Sequence, residues 1–500
     1  MTDKLLFYIE SYFLHFGIAK TLQENHDCEI FGIIDVDIKA KTFFDKQQLV
    51  KFKKIWHYLE HTSNKNKKPD MDYLKSFEEK YNINLWQIAY TDRIFYKYNT
   101  HHQFQKNEIL SIVEQECKMF EEILEQVKPD FLVMLIPISH YQELLYQMCR
   151  SLGIKVMLLF PSKFGGRMII SQNVVKVDDG VHHKSEMSED DALNYMKKFD
   201  MFKQLETLKK STFESNKLKR YMIILKYFLS PHEKDYKNRY SNFGINRLTI
   251  LKEKISRFIK RKIRKSFIDK NFQRSIKNIS SFIYFPLHYE PERIMLIDAA
   301  FYDDQIAVIT NVAKSIPVGH TLVIKEHPFM QVIGWRSISF YKKIMKLPNV
   351  ILLHPSVNPN SIIKNCDLVV TIAGSTGLEA AFYKKSTVIL SDQLYSETPF
   401  TFRMKNFEEL PNLIREALQN EVNLSDLGEH VKMMDHNTFK LNFFKMNTDF
   451  AYRFGLKGPI IDAELPIQKI ESFLDDFKAE FDLLAHEHIK KIQYLKTEKN

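Results

Sequence analysis

Residues 130–160 decide the fold class, and they read "DFLVMLIPISHYQELLYQMCRSLGIKVMLLF". Two near-continuous apolar runs, at 130–138 and 154–160, flank a segment whose apolar residues recur at helical spacing. Strands that are apolar along their whole length are buried on both faces, which is typical of a parallel sheet covered by helices. This strand–helix–strand unit predicts an N-terminal Rossmann-like domain over residues 1–184.

A second α/β pattern begins near residue 280. Short apolar strands alternate there with helical segments. The predicted strands are 281–285, 321–326, 350–354, 367–372 and 387–391. They predict a second Rossmann-like domain over residues 280–425. Residues 185–279 lack strand alternation and are predicted to form a helical basic insertion, and residues 426–500 a C-terminal helical tail. The expected fold class is therefore α/β, with a pair of Rossmann-type parallel-sheet domains.

Composition excludes several classes of protein. A chain of 500 residues is too long for one hydrophobic core, and 44% hydrophobic residues exclude a mainly disordered chain. The four cysteines are far apart and form no CxxC pair, which disfavours a disulfide framework or a zinc site. The sequence has no apolar run of 18 residues, and Asp3 and Glu10 interrupt the apolar N-terminus. We expect a first strand rather than a signal peptide, and a cytoplasmic location, peripheral at the inner face of the cell membrane.

The positive charge is concentrated in one region. The net charge is +10, while residues 201–280 contain 22 basic and 6 acidic residues, so the rest of the chain is net acidic. The densest part, 252–265, reads "KEKISRFIKRKIRK", and its apolar residues recur at three- and four-residue steps. The alternatives are a solvated helix packed on the protein and an interfacial helix attracted to anionic lipids. Nucleic acid ranks last, because no recognisable nucleic-acid motif accompanies the charge.

Polar segments follow four of the strands predicted in the second domain. They are 286–292 ("PLHYEPE"), 327–328 ("HP"), 354–355 ("HP") and 373–379 ("AGSTGLE"). In an open parallel sheet, ligands bind outside the carboxyl ends of the strands. If these strands are parallel, the four segments line one edge of the sheet, and His288 becomes a candidate phosphate ligand.

The segment "TIAGSTGLEAA" at 371–381 carries the strongest signal. Gly374 allows a tight turn and a close approach of the backbone. Thr376 and Glu379 have the spacing of a capping box, so a helix is predicted to begin there. A helix N-terminus offers amide groups and partial positive charge, and with the hydroxyls of Ser375 and Thr376 it suits a phosphate. Helix capping alone is the structural alternative for Ser375 and Thr376.

The segment "KEHP" at 325–328 adds a histidine at the same predicted edge. His327 is a candidate to donate a hydrogen bond to a phosphate or a proton to a leaving group, with Lys325 adding charge. A satisfied turn residue is the ordinary explanation for such a histidine, and His354 shows how easily the pair arises. The sequence has no evident metal-binding cluster. The D-x-D at 35–37 suggests a metal-dependent sugar transferase only weakly, because the phosphate features lie in the other domain.

Three segments resemble the capsule polysaccharide biosynthesis/export family, which includes the Kdo (3-deoxy-manno-octulosonic acid) transferases of capsule assembly. They are "YFPLHYEPE" (284–292), "FYDDQIAVITNVAKSIPVGHTLVIKEHP" (301–328) and "PNSIIKNCDLVVTIAGSTGLEAAFYKKSTVIL" (359–390). Their order is also similar to that in bacterial sialyl- and polysialyltransferases, which carry a His-Pro motif and a later Ser/Thr motif for the CMP donor. The resemblance covers residues 280–420 well and the first 270 residues much less.

The resemblance implies a GT-B glycosyltransferase, whose C-terminal domain binds the nucleotide sugar and whose N-terminal domain holds the acceptor and the catalytic groups. His327 and Pro328 then correspond to the His-Pro motif, and Ser375 and Thr376 to the Ser/Thr motif. The polysialyltransferase pattern also has an acidic-acidic-Gly motif that contributes the general base, and residues 178–180 match it.

Two sites therefore compete for the role of general base. Asp178 and Asp179 match the motif, but "NVVKVDDG" at 173–180 also predicts a strand that ends in an Asp-Gly turn. Glu10, at the end of the first strand, is the second candidate, and a helix-start carboxylate is its alternative. Arg167 is either a contact for an anionic acceptor or a surface charge.

The expected function is glycosyl transfer in capsule or surface polysaccharide biosynthesis. The resemblance implies a nucleotide donor, CMP-linked, carrying Kdo or another acidic sugar, and a lipid-linked or polysaccharide acceptor. It also implies transfer without a metal or a resident cofactor. Residues 252–265 are the expected membrane-surface contact, and no nucleic acid is expected as a partner. The alternatives are a polyol-phosphate transferase with a CDP donor, a non-catalytic polysaccharide export or binding protein, and a sugar-nucleotide epimerase.

Overall fold

The computed structural model describes residues 2–11, 13–61, 68–164, 166–178, 240–454 and 464–497, with residues 188, 190, 191 and 194. The chain divides into two compact units. The first, here called the N-terminal unit, consists of Met1–Asn173, Met201–Ile245 and Thr438–Asn500. The second, the central unit, consists of Val174–Asp200 and Asn246–Asn437.

In the described residues, thirteen strands belong to two sheets. In chain order they are β1 Asp3–Glu10, β2 Cys28–Asp35, β3 Phe52–His57, β4 Phe131–Leu135, β5 Lys155–Pro161, β6 Arg167–Ser171, β7 Phe282–Pro286, β8 Thr321–Lys325, β9 Val350–Leu353, β10 Leu368–Thr371, β11 Thr387–Ile389, β12 Thr401–Arg403 and β13 Thr438–Lys440.

The described residues also form eighteen α-helices. They are α1 Leu14–Asn25, α2 Ile38–Lys46, α3 Tyr58–His61, α4 Met71–Tyr81, α5 Leu85–Tyr90, α6 Lys106–Val127, α7 His140–Ser151, α8 Arg247–Asn271, α9 Gln305–Ser315, α10 Met330–Ile333, α11 Ile338–Met345, α12 Pro359–Asn365, α13 Thr376–Ala381, α14 Leu410–Gln419, α15 Leu424–Asn437, α16 Phe443–Arg453, α17 Ile467–Asp476 and α18 Lys478–Thr497. No helix among the described residues has the length and apolar character that crossing a membrane requires.

The N-terminal unit contains a seven-stranded sheet in the order β13-β6-β5-β4-β1-β2-β3. The strands from β5 to β3 are parallel, and β6 and β13 add an antiparallel edge. The C-terminal helices contribute Phe473, Phe481 and Ile492 to the same core as β1 and α1. Gly17 of α1 makes this packing close, because a Cβ there would lie 2.2 Å from the Phe481 ring.

The central unit contains a six-stranded, wholly parallel sheet in the order β12-β11-β10-β7-β8-β9. Its strands are buried on both faces, since two clusters of apolar side chains cover opposite sides of β7, β8 and β10. Side chains alternate between the faces of a strand, so Ile283 and Phe285 enter one cluster and Phe282 and Tyr284 the other.

The predicted fold class, an α/β chain with two Rossmann-type parallel-sheet units, is confirmed. The predicted boundary at 184 lies outside the described residues, and the boundaries at 279 and 425 do not coincide with the limits of the compact units. The segment from Thr438 onward packs on the first sheet, and α8 belongs to the central unit. Apolar periodicity gives a helix its buried face but does not say which sheet covers that face. The strand predicted at 173–177 is wrong, because those residues form bends after β6.

Candidate functional site

The carboxyl ends of β7, β8 and β10 lie at one edge of the central sheet. Strand β7 is the neighbour of both β8 and β10, and all three run parallel. The edge therefore carries three loops that begin at Leu287, Glu326 and Ile372. The prediction that these strands are parallel and that their following segments share one edge is confirmed.

The loop after β7 contacts the loops on both sides of it. The backbone N–H of Ala373 donates a hydrogen bond to Nε2 of His288 at 3.2 Å. The ring of Tyr289 lies 5.9 Å, centre to centre, from the imidazole of His327. Residues 288 and 289 thus join the His-Pro loop to the loop that carries Gly374.

His327 is held in one tautomer by its own loop. The backbone N–H of Phe329 donates to its Nδ1 at 3.2 Å, so in the neutral ring the proton is on Nε2. The ring of Phe329 is stacked on the imidazole, with centres 5.9 Å apart and an interplanar angle of 14°. His327 is partly exposed, so a ligand can reach the ring. Its Nε2–H is arranged as a hydrogen-bond donor.

The loop after β10 packs tightly around its glycines. The N–H of Gly374 donates to Oγ1 of Thr371 at 3.2 Å, and a Cβ at Gly374 would lie 2.8 Å from that oxygen. The hydroxyl of Tyr395 donates to the carbonyl of Gly374, and a Cβ at Gly377 would lie 2.4 Å from the same hydroxyl oxygen. These glycines allow a close approach, as predicted for Gly374.

The helix predicted at 376 does begin there, but the capping box between Thr376 and Glu379 is wrong. Ser375 is the residue before the helix, and its hydroxyl donates to the Glu379 carboxylate at 2.9 Å instead of accepting from a backbone amide. In a capping box the Glu379 carboxylate would accept from a backbone amide, but here it accepts from the Ser375 hydroxyl. The hydrogen bond to Glu379 therefore orients the Ser375 hydroxyl of the Ser/Thr motif.

A buried arginine, which the sequence patterns did not single out, connects two of these loops. Arg336 is 6% exposed, and its guanidinium lies 2.8 Å from a carboxylate oxygen of Glu290 and 3.1 Å from one of Glu326. It also donates to the carbonyl of His288. Burial opposes the charge on Arg336, but the two carboxylates outweigh it and raise the pKa of the guanidinium. Tyr341 donates to Glu326 at 2.6 Å.

A signal for this cluster exists in the sequence. Glu326 ends the apolar strand predicted at 321–326, immediately before His327, and a carboxylate in such a position needs a buried partner. The backbone N–H of His327 donates a hydrogen bond to the Glu326 carboxylate at 2.8 Å, which connects the cluster directly to the His-Pro loop. The other polar residues predicted here differ in exposure. Lys325 is 2% exposed at the end of β8, and Pro328 begins a turn closed by Gln331.

His354, the second His-Pro histidine, follows the edge strand β9 and has a different environment. Its Nε2 lies 3.0 Å from a carboxylate oxygen of Asp269 in α8. The backbone N–H of Ser356 donates to its Nδ1 at 3.1 Å. Both ring nitrogens of His354 are thus engaged by its own unit, and this histidine is a structural turn residue.

In the N-terminal unit, Glu10 and Asp35 end the neighbouring strands β1 and β2 in register with each other. The hydroxyls of Tyr8 and Tyr141 each donate to Asp35 at 3.0 Å, and the amide of Gln142 donates to Glu10. Burial, and then the negative charge of Asp35, raise the pKa of Glu10 from 4.5 to about 7. Glu10 is partly exposed at the sheet edge, so it is a carboxyl group able to exchange protons near neutral pH.

The helix that carries Tyr141 and Gln142 begins at a buried histidine. His140 begins α7, and its two nitrogens lie 2.6 Å from Asp92 and 2.8 Å from Glu116. Burial disfavours the charged ring, but the two carboxylates outweigh it and raise the pKa of His140 to about 10. Tyr58 donates to Glu116 at 2.5 Å. This charged cluster fixes the start of the helix that carries Tyr141 and Gln142.

The other candidates for acid–base chemistry are less well defined. Asp178 is partly exposed in the segment of bends after β6, and Asp179 lies outside the described residues. Arg167 is not a free surface charge, because it donates to the hydroxyl and to the carbonyl of Thr438, each at 2.6 Å. Within the described ranges, no group of three or more His, Cys, Asp or Glu side chains is arranged to hold a metal ion.

Comparison with known families supports the resemblance seen in the sequence. Residues 172–409 match the model of the capsule polysaccharide biosynthesis protein family. The match includes β7 to β12, and with them His288, His327 and the loop at 373–376. No curated protein shows significant sequence similarity to the chain.

Three similar solved structures are distant in sequence. The UDP-GlcNAc 2-epimerase from Methanocaldococcus jannaschii is 12% identical with a TM-score of 0.24, over 87% of this chain and 99% of that one. The KpsC β-Kdo 2,4-transferase from Thermosulfurimonas dismutans is 10% identical with a TM-score of 0.28, over 60% and 78%. The β-Kdo 2,7-transferase of the same KpsC is 12% identical with a TM-score of 0.29, over 70% and 87%. TM-scores this low define no correspondence between residues.

Proposed function

We propose that this protein, whose residues 172–409 match the capsule polysaccharide biosynthesis family, is a glycosyltransferase that transfers a sugar from a nucleotide donor to a growing surface glycan. One observation carries the proposal. The loop after β7 contacts His327 through Tyr289 and the Gly374 loop through His288, so the two motifs share one edge of the sheet. That edge is where an open parallel sheet binds its ligands.

The central unit supplies the groups that hold the departing phosphate. When the glycosidic bond to the donor breaks, the sugar acquires oxocarbenium character and negative charge develops on the phosphate. The Nε2–H of His327 is the donor that we assign to this charge, since Nδ1 is already occupied by the Phe329 amide. The loop 373–376 supplies the backbone amides of Ser375 and Thr376 and the hydroxyl of Thr376, because the amides of its first two residues already donate within the protein. Donors fixed before the reaction stabilise charge without reorganising.

The acceptor hydroxyl must lose a proton, and we assign Glu10 as the group that takes it. Its carboxyl group has a pKa of about 7, because burial and the charge of Asp35 disfavour ionisation. A base with a pKa near the working pH is ionised in a large fraction of molecules and still binds a proton well. Asp178 and Asp179, which match the motif of the polysialyltransferase-like proteins, are the alternative base.

The chemistry of donor and acceptor follows the family resemblance. We propose a CMP-linked acidic sugar, Kdo or a related one, as donor, and a lipid-linked or polysaccharide acceptor. The nucleotide sugar is a substrate, and we propose transfer without a resident cofactor or metal. Activity that survives EDTA unchanged is the expected result, and restoration only by a divalent cation would contradict it.

The test begins with a thermal-shift screen of the full chain against CMP, CDP, UDP and GDP, followed by transfer assays with donors carrying the best nucleotide. We expect stabilisation by one nucleotide and acceptor-dependent turnover. His327→Ala should reduce kcat by about 10²–10³, the typical loss of one donor to a developing oxyanion. His354→Ala is the matched control, since it removes the other His-Pro histidine of the same sheet and should leave kcat close to that of the wild type.

The same experiment separates the alternatives. Stabilisation by CDP with transfer of a polyol phosphate indicates the polyol-phosphate transferase. Binding without turnover, or no binding of any nucleotide, indicates an export or binding protein. Conversion of a nucleotide sugar without any acceptor indicates an epimerase. A wild-type rate for His327→Ala removes this histidine from the mechanism.

A further inference from the structure

Helix α8 is attached to the central unit by its C-terminal half. Ile268 is buried in the core of that unit, and Arg264 donates to the carbonyl of Trp335 at 2.6 Å. Arg257 and Arg261 lie beside Gly334, since a Cβ there would be 3.6 Å from the first side chain and 3.8 Å from the second. These four side chains recur at four- and three-residue steps, so one face of the helix rests on the unit.

The opposite face of α8 is apolar and exposed. Its side chains recur at helical spacing and are each between 43% and 78% exposed. They form what is here called the exposed stripe: Leu248, Leu251, Ile255, Phe258, Ile259 and Ile263. The helix thus packs on its own unit, as one interpretation of the sequence expected, but it does so through arginine stems and not through its apolar residues. Contiguous exposed apolar surface of this kind marks an interaction site.

Lysines border the exposed stripe. Lys252 and Lys260 line the same shallow groove as Leu251, Ile255 and Ile259. Lys262 lies over the ring of Phe258, with its Nζ 4.5 Å from the ring centre. Long basic side chains can extend their charge past an apolar surface while their carbon stems cover it. An occupant of the stripe must therefore be apolar at its centre and negatively charged at its border.

We infer that α8 lies in the surface of a membrane that contains anionic lipids, with the exposed stripe among the acyl chains and the lysines at the headgroups. A bilayer surface satisfies both requirements along the whole helix, since anionic headgroups lie directly above hydrocarbon. A polyanionic glycan would meet the lysines but leave the apolar side chains in water. The inference concerns a surface other than the proposed donor site and does not depend on the proposed function.

The test uses the full chain, without donor or acceptor, in flotation assays with vesicles of phosphatidylcholine or of equimolar phosphatidylcholine and phosphatidylglycerol. We expect binding to the anionic vesicles only, weakened by salt. Lys252→Glu/Lys260→Glu should weaken it by more than roughly twentyfold, because each basic residue at an anionic surface contributes about fivefold in affinity. Lys342→Glu/Lys343→Glu, on exposed lysines of α11 with the same change in net charge, is the matched control and should bind nearly as the wild type does.

A second variant tests the apolar contribution. Ile255→Ser/Ile259→Ser replaces side chains that are 53% and 51% exposed, so the fold should survive while vesicle binding is lost. Normal binding by this variant would leave only charge attraction and would overturn the inference. Equal losses in the Lys342/Lys343 control would do the same. Absence of vesicle binding, with a dimer that Ile255→Ser/Ile259→Ser converts to monomers, would assign the stripe to a second copy of the chain.

Discussion

Replacing Glu10 by glutamine tests the assignment of the base through a titration. Glu10 ends β1 beside Asp35 and receives a hydrogen bond from Gln142. Glutamine keeps the shape of the side chain and an oxygen for that bond, but it cannot ionise. The variant therefore removes the proton-accepting group with little change in packing.

The effect on stability follows from the raised pKa. Raising the pKa of Glu10 from 4.5 to about 7 corresponds to about 3 kcal/mol, at 1.36 kcal/mol for each pKa unit. Solvent screens part of this, since the residue is partly exposed, and we expect about 1–2 kcal/mol. The sign follows from linkage: the protonated group stabilises the fold fully below pH 4.5, and this contribution is lost as pH rises through about 7. Glu10→Gln should therefore equal the wild type near pH 4 and exceed its stability above pH 7.

The effect on catalysis has the opposite direction. A base must be ionised, so kcat/KM of the wild type should fall about tenfold for each pH unit below the pKa of Glu10. In Glu10→Gln this acidic limb should disappear, and the rate should drop by about 10²–10⁴. Urea unfolding and pH–rate profiles of the same two proteins measure both effects.

A third protein distinguishes a base from a residue that only supports the fold. Burial is the largest cause of the raised pKa of Glu10, and the negative charge of Asp35 is the second, which Asp35→Asn removes. The acidic limb of kcat/KM should then move to lower pH, although Tyr8 and Tyr141 lose a charged hydrogen-bond acceptor. A limb that stays in place in Asp35→Asn, or that persists in Glu10→Gln, refutes the assignment and leaves Asp178 or Asp179 as the base.

Three further substitutions test the packing that supports the two sheet edges. Arg336→Met should lower the unfolding free energy by about 3–5 kcal/mol, because it strands the Glu326 carboxylate in the core, and adding Glu326→Gln should recover part of the loss in urea unfolding. His140→Gln should cost a similar amount at pH 7. Since the charged ring stabilises the fold fully below pH 6.5 and ceases to do so as pH rises through about 10, the difference from wild type should shrink above that pH. Gly17→Ala should lower stability by about 1–3 kcal/mol through overpacking against Phe481, and Phe481→Leu in the same chain should recover part of it.

The strands and the residues at their carboxyl ends were predictable from the sequence. Apolar runs such as 131–135 and 282–286 are buried on both faces, and that burial determines which residues form the strand and where it stops. His327 follows from the same logic, because a polar residue directly after such a strand must lie at the sheet edge. The strand at 52–57 was missed, because the exposed neighbours Lys53 and Lys54 interrupt the continuous apolar signal of a buried strand.

The electrostatic partners at these edges were not predictable, because each depends on how distant segments meet. Asp92 and Glu116 belong to a turn and a long helix, and nothing in their local sequence indicates that one histidine lies between them. The raised pKa of Glu10 depends on the register of β1 with β2, which sets its distance from Asp35. A shift of one residue would turn one of the two carboxylates to the other face of the sheet.

Each of the two units has a buried cation between two carboxylates near the carboxyl edge of its sheet. Each sheet must hold polar loops in a fixed geometry at its carboxyl edge, where apolar packing ends. In the central unit Arg336 lies between Glu290 and Glu326, and in the N-terminal unit His140 lies between two carboxylates. A buried cation with two carboxylate partners tolerates little displacement, since any movement leaves a charge without compensation. Each of these charged clusters therefore determines the position of a neighbouring residue. In the central unit this residue is His327, next to Glu326, and in the N-terminal unit it is Gln142, on the helix that begins at His140. The reactivity assigned to His327 and to Glu10 depends on these charged clusters as much as on the two residues themselves.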